Sequence, residues 1–205
     1  MNKGYYSLNI SNGIGIIEWD ELFILRIWLN STDLKQLFDY LERAQSRFSI
    51  RNEIMFKLLA TTGLRRSELV SLTWEQVHLV NETIRIDRKG KKRILPLHPH
   101  LVPLLASYKA SLRAYQIYPT EPVFLNKNRK ALDPWGLNVI FKDVLKKAGL
   151  PPTRFTPHHL QNTFAILMLQ QNKENVDLRT LQELLCHESI TSFQVYTHNW
   201  VVFFY

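Results

Sequence analysis

Thr62-Gly63-Leu64-Arg65-Arg66-Ser67-Glu68-Leu69 is the stretch that orders the rest of the chain. A helical pattern runs into it: between Ser49 and Thr62, Ile54, Met55, Leu58 and Leu59 fall on one face. Gly63 is a natural stop, because glycine takes the left-handed conformation in which helices commonly end. A short helix is predicted over Ser67–Leu72. Arg65 therefore stands on a tight turn between two helices, where its side chain can be aimed into a groove.

Upstream, Ser31 and Thr32 are candidate caps for a helix that places Leu34, Leu37, Phe38 and Leu41 on one face. Residues 1–29 begin with a stretch rich in Gly, Asn and Ser, continue into an aromatic-rich apolar run, and give no assignable element. Downstream, Thr83–Asp87 and Arg93–Leu97 alternate on either side of a turn at Arg88–Lys92, the pattern of a β-hairpin. A helix is predicted from about Pro99, with Leu101, Leu104, Leu105, Tyr108 and Leu112 at helical spacing. Another covers Asp133–Lys147 and stops at Gly149. Pro151-Pro152 breaks the chain, and helices are then expected over His158–Gln171, Leu178–Leu185 and Ser189–His198. The fold class is mainly α with a small antiparallel β-sheet.

Of 205 residues, 45% are apolar, enough to bury a core without disulfides. Cys186 is the single cysteine, so an intrachain disulfide is excluded. The most apolar stretch, Ile14–Leu29, contains Glu18, Asp20, Glu21 and Arg26, and those charges argue against a membrane span. The net charge is +8 and unevenly placed: residues 1–50 carry −1 and residues 51–205 carry +9. A basic domain attracts polyanions, nucleic acid first among them.

Three further segments follow in order. Lys89-Gly90-Lys91-Lys92-Arg93 lies on the hairpin and is followed by Leu95-Pro96-Leu97. Thr156-Pro157-His158-His159-Leu160-Gln161-Asn162-Thr163-Phe164-Ala165 opens a helix. Leu181-Gln182-Glu183-Leu184-Leu185-Cys186-His187 runs on to Gln194-Val195-Tyr196-Thr197-His198. With Thr62–Leu69, these resemble the boxes of the tyrosine recombinase (phage integrase) family over about residues 31–198. The family pattern is T-G-L-R-x-S-E-L, a hairpin lysine, H-x-L-R-H-T-F-A, then L-G-H followed by Y-T-H.

The resemblance implies a tyrosine recombinase catalytic-domain fold and site-specific DNA recombination through a covalent 3′-phosphotyrosine. It assigns Tyr196 as nucleophile and Arg65, Lys89, His158, His187 and the Gln161 position as its catalytic neighbours. The chemistry fits the residue types. Charge builds on the non-bridging oxygens of a phosphodiester under attack, and arginine donates two bonds to one phosphate without losing its charge. A flexible lysine can protonate the leaving 5′ oxygen, and histidine can donate to a phosphate oxygen or move the nucleophile's proton. Tyrosine, with a pKa near about 10, needs such cations to act as a nucleophile. Six of the nine residues Arg85–Arg93 are basic. Arg66, Arg88, Lys91, Lys92 and Arg93, with Lys127, Arg129 and Lys130 on a second basic stretch, are expected to contact DNA. The hairpin is one residue shorter than the common pattern, so Lys91 competes with Lys89 for the acid role. His98, His100 and His159 are read as structural or surface residues. No Cys/His cluster has zinc-site spacing, and no metal or cofactor is expected.

Besides the short hairpin, the chain departs from the pattern in four places. Gln161 stands where the second arginine belongs and supplies no charge. Asn162 replaces a residue that is often basic, and Cys186 replaces the usual glycine. Residues 1–30 are expected to be a short extension, too short for the helical DNA-clamping domain that usually precedes residues 31–199, and 200–205 an apolar tail. The expected partner is double-stranded DNA, with a homo-oligomer assembled on it, a cytoplasmic location, and neither a membrane nor a small-molecule ligand. The alternative is a catalytically silent DNA-binding relative or regulator.

Overall fold

Asn30, one residue ahead of the expected caps, starts the first helix: its side chain accepts the Asp33 N–H at 2.8 Å. This helix, α1 (Ser31–Arg43), buries Leu34, Leu37, Phe38 and Leu41, the face its spacing predicts. The structure, a computed structural model, describes residues 6–10, 13–17, 28–88, 91–112 and 117–171. Two antiparallel strands, β1 (Tyr6–Ile10) and β2 (Gly13–Ile17), form a hairpin in the segment that the sequence left unassigned.

The second helix, α2 (Ser49–Thr62), is the centre of the molecule. Eleven of its 14 residues are buried, so it is enclosed on all sides and not only along the predicted face. It packs against α1, α4 (Leu101–Ser111) and α6 (Pro157–Gln171). Its polar groups are satisfied inside. Lys57 Nζ donates to Glu53 at 2.8 Å and Glu42 at 2.7 Å. Arg51 donates to the Leu125 carbonyl at 2.6 Å and to Asn52, with its guanidinium over the Phe48 ring. Phe56 meets Phe141 of α5 (Pro134–Lys147), ring centroids 5.0 Å apart.

The short helix after Gly63, α3 (Arg66–Val70), ends two residues earlier than predicted. A 3₁₀ turn (Trp74–Gln76) leads into a three-stranded antiparallel sheet in the order β3 (Val77–His78), β4 (Thr83–Arg88), β5 (Lys91–Pro96). Pairing reaches Arg88↔Lys91, so the strands run further into the turn than expected, and Lys89 and Gly90 between them lie outside the described residues. Ile84, Ile86 and Leu95 are buried on one face. Asp133 caps α5 by accepting the Gly136 N–H, with Pro134 in the first turn.

Candidate active site

The turn at Thr62–Arg65 is held from three directions. Thr62 Oγ1 donates to the Leu58 carbonyl at 2.6 Å and accepts the Leu64 N–H at 3.3 Å. Gly63 has φ +64°, and a Cβ there would lie 2.7 Å from Phe164 Cδ1 of α6. Glycine is needed at this position both for its backbone angle and for the ring against it. Gln161 of α6, almost fully buried, donates from Nε2 to the Gly63 carbonyl at 3.2 Å. The glutamine that replaces the expected arginine thus bonds to the backbone of the Arg65 turn.

Arg65 is the residue from which α3 begins, and its N–H is accepted by Glu68 Oε2 at 2.8 Å. This is the acidic half of a capping box, in which the third helical residue reaches back to the cap. The same Oε2 takes the Arg93 Nη2 in an ion pair. Glu68 is buried, and one carboxylate therefore fixes both the helix start and a strand residue.

Arg93 reaches Glu68 because of strand parity. It lies opposite Ile86 in the register and two residues before Leu95, so it shares the inner face with buried apolar side chains. Its side chain keeps only 21% of its exposure. Burial lowers the proton affinity of its guanidinium below the usual arginine range; Glu68 opposes that shift and Arg65 adds to it. An arginine does not deprotonate under these conditions, so the shift measures chiefly the cost of burying its charge, to which the nearby Arg65 adds. The reading of Arg85–Arg93 as a basic hairpin tip, with Arg93 among its DNA-contacting residues, missed this. The signal was available in the alternation Arg93, Leu95, Leu97, which puts Arg93 in phase with the core. Glu68 was missed as well, and the spacing of a capping box would have found it.

His158 and His159 open α6. His158 is exposed, one turn before Gln161 and on the same side of the helix. His159 Nδ1 accepts the Thr156 N–H at 3.0 Å, which gives it a structural role at the helix start. Thr163 Oγ1, one turn further on, donates to the His159 carbonyl at 2.8 Å and accepts the Leu29 N–H at 2.9 Å.

Arg66 and Lys92 are exposed. Lys127, Arg129 and Lys130 are exposed on a tight loop organised by Asn126. Its Oδ1 accepts the N–H groups of Asn128 and Lys130, and its backbone pairs with Lys130 and Arg129. Arg129 takes a left-handed φ of 59° there. Arg88 and Lys91 close the β4–β5 hairpin. Lys89, His187 and Tyr196 lie outside the described residues. Among the described residues no group of three or more His, Cys, Asp or Glu is placed to hold a metal ion, and no helix is long and apolar enough to cross a membrane.

The sequence pattern of the phage integrase family matches residues 27–201. The tyrosine recombinase XerC of Roseiflexus sp. (strain RS-1) is 35% identical over 175 residues, covering 83% of this chain and 54% of that protein. XerD of Staphylococcus epidermidis (strain ATCC 12228 / FDA PCI 1200) is 33% identical over 186 residues, covering 89% of this chain and 57% of that one. The crystal structure of XerA recombinase matches with a TM-score of 0.66 at 28% identity, over 84% of this chain and 60% of its own. XerH recombinase in its pre-cleavage complex with difH substrate matches with a TM-score of 0.67 at 27% identity, over 83% and 50%. The chain thus spans little more than half the length of the recombinases it matches.

Proposed function

Since the chain belongs to the phage integrase family, we propose that residues 31–199 are the catalytic domain of a tyrosine recombinase that cuts and rejoins double-stranded DNA through Tyr196. The observation that carries this reading is the Glu68 carboxylate, which gathers Arg65 and Arg93 at the turn after α2. A buried anion that holds the main chain of one arginine and the guanidinium of another, in a basic domain, suits a phosphate as the missing fourth member. A cleavable substrate follows by likeness to XerH. That it is DNA is supported by the net charge of +9 over residues 51–205 and by the basic loop at Asn126–Lys130.

In the proposed reaction the Tyr196 oxygen attacks the scissile phosphorus, and the bond to the 5′ oxygen breaks as the phosphotyrosine bond forms. Arg65 donates to the non-bridging oxygens; of His158 and His187, one is a further donor and the other takes the proton that the Tyr196 phenol gives up. The proton for the 5′ oxygen comes from the hairpin lysine, Lys89 or Lys91. The phosphodiester energy is kept in the protein–DNA bond, so a second DNA end rejoins the strand without ATP. The working form is a homo-oligomer on DNA.

A pool of nicked duplexes of randomised sequence tests this. Incubation with the full chain should yield a denaturant-stable protein–DNA adduct that is lost in Tyr196→Phe. An adduct that persists in Tyr196→Phe, or the absence of any adduct across the pool, removes the proposal. The second reading, a silent DNA-binding relative, is favoured by one observation: Gln161 is buried on the Gly63 carbonyl and brings no charge to the site. On that reading the parent is inactive, and Gln161→Arg creates cleavage.

A further inference from the structure

A phosphodiester under attack carries more negative charge than one arginine offsets, and Gln161 donates to a carbonyl and not into the site. The charge has another source in the fold. Arg93 is directed inward by its place on β5, opposite Ile86 and in phase with Leu95. Glu68 Oε2 accepts from Arg93 Nη2 and from the Arg65 backbone N–H, so one carboxylate oxygen ties the Arg93 side chain to the main chain from which Arg65 projects. Two guanidinium groups and one carboxylate leave a local excess of positive charge, in a place where burial makes that excess costly. Arg65 adds to the electrostatic pressure on Arg93 in this arrangement. An anion seated between them would turn that repulsion into attraction. A guanidinium has five N–H donors, so an ion pair through Nη2 does not exhaust it.

We propose that Arg65 and Arg93 together cradle the scissile phosphate, and that Arg93 supplies the positive charge that Gln161 lacks. This rests on the recombinase reading for the identity of the phosphate, and on the Arg65–Glu68–Arg93 geometry for the cradle itself. It moves Arg93 from the DNA-tracking surface of the hairpin to the reacting group. Glu68 is then a positioning residue: it touches no substrate and sets the separation of the two arginines.

Two measurements separate the inference from the reading beneath it. The first needs no activity. Inorganic phosphate, compared with chloride at equal ionic strength, should raise the Tm of the full chain, because a ligand bound only by the folded state stabilises it. Arg43→Gln, an exposed change on α1, should keep the rise. Arg65→Gln and Arg93→Gln should both lose it, and Arg93→Lys should keep part. A phosphate-dependent rise that survives in Arg93→Gln overturns the cradle.

The second uses adduct formation on the nicked duplex pool. Arg93→Gln should slow it by ~10²–10³, the usual effect of removing one donor to a developing oxyanion. A methylphosphonate at the scissile position removes one negative charge from the substrate and should recover most of that loss. A structural tie between β5 and α3 predicts a loss that methylphosphonate does not recover, and that result overturns the proposal, as does cleavage by Arg93→Gln at the parental rate. If the parent forms no adduct at all, the recombinase reading fails, and the phosphate titration alone decides the cradle.

Discussion

His159 Nδ1 is an acceptor only while the imidazole is neutral, and the N–H it accepts, from Thr156, lies at the start of the helix that presents His158 and Gln161. Burial, then His158 and Lys142, push its pKa below the ordinary value of 6.5. Folding therefore favours the neutral ring. The stability it contributes is complete above about 6.5, where the unfolded ring is also neutral. It is lost as pH falls from there through the lower folded value. The urea midpoint of the parent, minus that of His159→Asn, should decline across this window, because asparagine offers an acceptor that does not titrate. A difference independent of pH would remove the titration from the account of this helix start.

At the scale of elements, the Asn126 loop presents a cluster of exposed cations. The loop is built by one side chain accepting two backbone N–H groups, an arrangement that fixes the path of Lys127, Arg129 and Lys130 without burying them. If these three meet phosphates, each released counterion contributes about 0.9 to the slope of log K against log salt for duplex DNA. Changing all three to glutamine should flatten that slope by nearly the sum of three contacts, measured by anisotropy over a salt series. An unchanged slope would place the loop away from DNA.

Much of this architecture was legible before any coordinates. The helical spacing of α1 and α5 and the stop at Gly63 follow from local chemistry, which sequence reports well. The boundaries drifted by a residue or two where caps compete, as when Asn30 took the role expected of Ser31 or Thr32. Of the expected site residues, Arg65 and Gln161 come to the same turn, while Lys89, His187 and Tyr196 lie outside the described residues. Arg65 and Gln161 were singled out, yet nothing local to Gln161 says that its amide bonds to Gly63, 98 residues away. The β1–β2 hairpin was not read at all, because its strands alternate too weakly around Gly13 and Gly15.

Across the whole molecule, the enclosure of α2 sets the largest energies. Lys57 is buried with Glu53, and both depend on pairing: their side chains are 9% and 12% exposed, with Glu42 closing the group from the surface. Lys57→Met alone should cost about 3–5 kcal/mol in denaturant unfolding, since it strands a buried carboxylate. Lys57→Met with Glu53→Leu should recover much of that. A double variant no more stable than the single one would show that packing, and not charge, dominates there. Leu29 is core, and its N–H is held by Thr163 across 134 residues of chain. That bond is a mechanical coupling. The residues ahead of position 28 are tethered, through Leu29, to the middle of α6, the helix that carries His158 and Gln161. A pull applied at residue 28 would therefore reach the helix of His158 and Gln161 through Leu29.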